Sequence, residues 1–131
     1  MERIQSPRTD DNAIEAEIKA KGKTAPRITP THIRDTIKSE HYFTAMDGVD
    51  GYYRGGIEAQ ACLDAPSLKL LTFCVLVLRN GFTVTGESAC ASPENFDAEI
   101  GRKIARQNAE QKIWPLEGYV LKCNMKAYDA L

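Results

Sequence analysis

Arg102, Lys103 and Arg106 fall on one arc of the segment FDAEIGRKIARQNAEQKIW when it is wound as a helix, interleaved with Glu99 and Glu110. Four-residue spacing lets Glu99 pair with Lys103 and Arg106 with Glu110 on a solvated face. Repeated about the axis of a symmetric oligomer, the same arginines offer forked donors for phosphate. Thr85, Glu87 and Asn108 can recognise hydroxyls or a base. Trp114 and Tyr119 can stack on a base, or can serve as core aromatics. The chemistry open to this set is binding, with Arg102 and Arg106 on phosphate. A helix that starts near Ser92 and Pro93 adds a terminus that favours anions.

Catalysis finds less support. His32 and His41 stand nine residues apart with neither the spacing of a metal-binding pair nor a cysteine nearby, and DGVDG lacks the alternating oxygens and distal glutamate of a calcium loop. Cys74 or Cys90 as nucleophile would need an imidazole beside it. Glu87 and Asp97 read as solvation or capping near a turn, and no glycine-rich phosphate loop is present. The expectation is a protein that is not an enzyme and uses no metal or cofactor. With 17 basic and 18 acidic residues in 131, the net charge is −1, so no overall field draws the chain to DNA, RNA or a membrane. The apolar run LKLLTFCVLVL is too short to span a bilayer. The four cysteines show no C-x-x-C spacing and read as reduced. Together these features predict a cytoplasmic chain.

The elements that must position these groups form one α+β domain. Residues 1–27 are polar, a flexible or weakly helical arm; residues 28–125 form the domain; residues 126–131 are expected to fray. Thr29 and Pro30 predict a capped helix over 30–42, continued by Ile33, Ile37 and His41 at four-residue spacing. Glycine and aspartate predict a loop over 47–56, and residues 56–67 fit a strand or a helical turn. In LKLLTFCVLVLRNGFTVTGESACA, Asn80-Gly81 between two β-branched runs predicts a hairpin with a two-residue type I′ turn. That turn sets Val77 opposite Val84 and Val75 opposite Gly86. It leaves both faces of the first strand apolar and predicts cover from a second subunit. A helix follows over 92–113, with Phe96, Ile100 and Ile104 toward the sheet. Its small stripe of Gly101, Ala105 and Ala109 is expected to meet another helix, from this chain or a partner subunit. Pro115 should break or kink that helix, and LEGYVLKCNM should close the domain as a short helix or strand.

The stretch from LLTFCVLVLRNGF through SPENFDAEIGRKIARQNAEQKIWPLEGYVLK resembles the small proteins of tailed phages and prophages in the gene product 49/66 family. The strand, strand, helix plan is also similar to that of the Thoeris anti-defence proteins of phages. That resemblance implies a homo-oligomer in the host cytoplasm. It would bind and sequester a cyclic ADP-ribose isomer or a cyclic oligonucleotide without cleaving it. A phage accessory protein that inhibits a host factor by protein contact is the alternative. No residue role is carried over from either family.

Overall fold

Strand pairing overrides helical spacing in the segment that follows Thr29. The computed structural model describes residues 10–23, 25–54 and 66–129. Asp10 caps α1 (Asp11–Ala20), which buries no residue and is tied down by a two-pronged Arg27–Glu15 pair at 2.6 and 2.7 Å. Thr29 caps α2 (Pro30–Thr36), accepting from the His32 amide. The helix then stops, and β1 (Ile37–Thr44) replaces the helical continuation to residue 42. Ile37, Tyr42, Phe43 and Thr44 suit extended backbone, and they gain a partner strand in β2. A helix, α3 (Ala45–Tyr53), takes residues 47–53 of the segment expected as a loop over 47–56. Thr44 and Asp47 cap it reciprocally, each side chain accepting from the other's amide, which offsets the cost of Gly48 and Gly51. Most of the ambiguous 56–67 stretch, with Cys62, lies outside the described residues.

A 3₁₀ turn (Pro66–Leu70) leads into β2 (Leu71–Leu78), which pairs with β3 (Thr83–Ala89). The connection is one residue longer than the sequence predicts. Leu78 accepts from the Gly81 amide at 2.9 Å and donates to the Phe82 carbonyl at 2.8 Å, so the loop is Arg79-Asn80-Gly81. Gly81 alone of the three has positive φ, at 90°. This is a type I turn closed by a left-handed glycine, where a type I′ turn needs both central residues left-handed. The Asn80 side chain accepts from the Phe82 amide and holds the loop shut. The extra residue shifts every pair, setting Val77 opposite Thr83 and Val75 opposite Thr85. A one-residue shift exchanges faces. Leu76 with Val84, Cys74 with Gly86 and Thr72 with Ser88 are therefore buried together, while Phe73, Val75 and Val77 lie with Thr83, Thr85 and Glu87 on the other face.

The sheet is antiparallel in the order β1-β2-β3, and α4 (Ala98–Gln111) packs on β2 and β3. Ser92 makes no side-chain cap; Pro93–Asn95 is a 3₁₀ turn, and Asp97 caps α4 by accepting from the Ile100 amide. The small stripe faces the chain's own sheet: Ala105 and Ala109 are fully buried, and Gly101 lies against Thr72. Ile100, expected on the sheet, is 45% exposed. The stripe is needed because Gly86 meets the backbone of α4 itself. Pro115 does break the helix: Lys112 ends α4, and α5 (Ile113–Asp129) restarts with the proline in its first turn. The domain is α+β, with its core formed by Ile33, Cys74, Leu76, Ala105, Ala109 and Ile113.

Candidate functional site

Because α4 lies over β2 and β3, the side chains of β1 that point to the same side flank the helix and form the wall of a groove. Arg106 reaches across it. Its Nε donates to Glu40 at 3.1 Å, and its Nη1 donates to Glu110 one turn along α4. The Tyr42 hydroxyl donates to the other oxygen of Glu40 at 2.8 Å. The Tyr42 bond, then that of Arg106, holds the Glu40 carboxyl below its ordinary value of 4.5. Burial, followed by the bond to Glu40, pushes the Tyr42 phenol well up. Burial likewise raises the Cys74 thiol, which is fully enclosed and stays protonated.

A carboxylate with a lowered value stabilises the fold above its unfolded pKa, and that stabilisation is lost as pH falls through the folded one. Glu40→Gln should therefore flatten the acid side of the stability profile. Thermal melts from about pH 6 to pH 3 should show wild type losing up to about 3 °C more than the variant, as suits a pair this exposed. Parallel profiles would remove Glu40 from the network.

Arg106 is thus committed to two carboxylates. Lys103 pairs with Glu99 at 3.5 Å. Arg102 forms no ion pair among the described residues and lines a hollow of about 100 Å³ with Tyr42, Phe43, Thr44, Asp47, Thr72 and Ala98. A separate hollow of about 380 Å³ lies farther along α4, where Asp10, Asp11 and Glu110 outnumber Arg34. One end of the groove thus sets the Arg102 cation beside a single carboxylate, Asp47, and the other end is acidic.

The remaining expected site residues do not gather there. Thr85 and Glu87 project from the sheet face opposite α4. Asn108 reaches β3, its Nδ2 donating to the Glu87 backbone carbonyl at 2.8 Å. Trp114 is half-buried against the core, its Nε1 enclosed without a hydrogen-bond partner among the described residues, and Tyr119 is 74% exposed on α5. Both lie near the hairpin end of the sheet: α4 passes Thr72 at Gly101 and Gly86 at Ala105 before α5 begins. Glu40, Tyr42, Thr44, Asp47 and Thr72 were not expected at the site. The alternation of Glu40, Tyr42 and Thr44 and the Thr44-x-x-Asp47 cap were the available signals.

The geometry defines a small α+β domain with an arginine-lined groove beside its long helix. Among the described residues no group of three or more His, Cys, Asp or Glu is placed to hold a metal ion, and no helix is long and apolar enough to cross a membrane. Residues 28–125 match the family model described as phage protein (N4 Gp49/phage Sf6 gene 66), and the chain belongs to that family. No curated protein and no solved structure matches it.

Proposed function

We propose that this phage protein is an anti-defence factor that acts in the host cytoplasm. It binds a host immune cyclic nucleotide signal, a cyclic ADP-ribose isomer or a cyclic oligonucleotide, and holds it without cleaving it. The observation that carries this reading is Arg102, a guanidinium with no ion pair among the described residues, set beside Tyr42, the hydroxyls of Thr44 and Thr72 and the carboxylate of Asp47. The guanidinium suits a phosphate, and the hydroxyls and carboxylate suit the hydroxyls of a ribose. The hollow of about 100 Å³ grips one phosphate or ribose rather than a whole cyclic nucleotide, since sites for such ligands run to roughly 300–1,000 Å³. The rest of the ligand lies along the groove or against a second subunit. Sequestration needs no chemistry: protein in hundredfold excess over the dissociation constant depletes free signal.

A charged hydrogen bond contributes about 1.5 to 3 kcal/mol. Arg102→Ala should thus weaken nucleotide binding at least about tenfold in calorimetry and leave the melting temperature nearly unchanged. Chromatography of heat-released ligand should return it intact. No binding by wild type to cyclic ADP-ribose isomers or cyclic oligonucleotides, or recovery of cleaved nucleotide, would reject the reading. The second reading, inhibition of a host factor by protein contact, is favoured by the exposed edge-to-face pair Tyr52 and Tyr53, with ring centroids 4.8 Å apart. Capture of one defined host protein, lost in Tyr52→Ala, would select it.

A further inference from the structure

Two apolar surfaces of this chain lack a partner among its described residues. One is the outer side of α5. Its inner side carries half-buried Trp114 and Leu121, with Glu117 bonded to His32 at 2.7 Å. On the other side Leu116, Tyr119, Val120 and Cys123 follow at three- and four-residue spacing, and all are exposed, at 38%, 74% and 49% for the first three. Such spacing makes a continuous seam. The second surface is the sheet face away from α4. There Phe73, Val75 and Val77 are only half-buried. α3 packs at one end, where Gly48 approaches the Phe43 ring stacked on Phe73.

We infer that the α5 seam of a second copy covers this sheet face, reciprocally, in a two-fold dimer. Charge is complementary. Glu87 is the one carboxylate that projects from the β3 part of the open face, and it forms no ion pair among the described residues. Lys122 and Lys126 border the seam, also without ion pairs there, while the acid of the inner side, Glu117, is engaged by His32. Length matches too: residues 116 to 127 of a helix span about 16 Å, and residues 71 to 77 of a strand about 20 Å. A helix-on-sheet contact of that size buries on the order of 300–400 Å² per surface. Made twice by symmetry, it reaches the roughly 1,200–1,600 Å² of a stable interface, which a single seam-to-seam contact would not. The dimer follows from these surfaces alone and is independent of any ligand.

Analytical ultracentrifugation of the full chain at micromolar concentration should give the mass of a dimer. Tyr119→Lys alters a side chain that is open in the single chain, so it should stay folded and raise the dimer dissociation constant at least tenfold. Val75→Lys, on the sheet face, should do the same. Thr85→Lys, exposed beside it, serves if Val75→Lys does not fold. Glu87→Lys should weaken the dimer, and Lys122→Glu with Lys126→Glu in the same chain should restore it. A monomeric wild type overturns the inference, as does a dimer indifferent to Tyr119→Lys. So does dissociation by Tyr119→Lys alone, with the sheet-face variants unaffected, because the helices would then pair with each other.

Discussion

Gly86→Ala should lower the melting temperature by about 10 °C or more, and Gly86→Val should leave no cooperative melt. A Cβ at this position would lie 2.2 Å from the Ala109 nitrogen and 2.3 Å from the Ala105 carbonyl oxygen. These are backbone atoms in the middle of α4, so no rotamer change relieves the clash. The helix must lift from the sheet and take Ile104, Ala105 and Ala109 out of contact. Overpacking a core costs about 1–3 kcal/mol when side chains can yield. Here the cost should reach or pass the upper end, about 3 kcal/mol, and each kcal/mol is worth a few degrees in a domain of this size. Gly101→Ala is the control. Its Cβ would come within 3.2 Å of the Thr72 hydroxyl and otherwise meet Thr72 Cβ and the Phe96 ring at ordinary contact distance, with no backbone in the way, and its melt should stay close to wild type. A Gly86→Ala protein that melts with Gly101→Ala would show that α4 does not rest on the backbone of β3.

Ala105→Glu should unfold the chain outright. Ala105 is fully buried between α4 and the Gly86 region of β3, and no basic side chain is positioned there to pair with a carboxylate. An unpaired charge in such a place costs several kcal/mol, much of the about 5–15 kcal/mol that holds a domain together. Circular dichroism should show loss of helix, not a folded subunit released from an oligomer. This differs from the outcome for Tyr119→Lys, which should dissociate subunits that remain folded. A folded Ala105→Glu protein with the helix content of wild type would mean that the small stripe faces solvent or a partner after all.

The features legible in the sequence were those set by local chemistry. Thr29 and Pro30 do start a helix, Gly81 does turn the chain between two strands, and Pro115 does end α4. The features that were not legible depend on what lies across from a residue. Ile33, Ile37 and His41 keep helical spacing, yet β2 draws residues 37–44 into the sheet, and with them Glu40 and Tyr42 into the groove. The choice between a two- and a three-residue turn moved Thr85 and Glu87 to the face away from Arg102 and Arg106. Arg106 and Glu110 were recognised as a possible pair, but the commitment of Arg106 to Glu40, 66 positions away in the chain, has no local signature. Gly86 entered the sequence reading only as the residue opposite Val75. Its reason is a helix that arrives later in the sequence.

The bond from Asn108 to the Glu87 carbonyl also bears on one of the two edges of the sheet. β3 is the outer strand of its sheet, and its odd-numbered residues turn their amides and carbonyls away from β2. Such a row is a template for fibril growth by strand addition. Asn108, reaching down from α4, occupies the Glu87 rung. An incoming strand is then left the short stretch at Thr83 and Thr85, too little ladder to propagate without the support of neighbouring rungs. The amide side chain expected as a ligand contact thus fills one rung of the β3 edge.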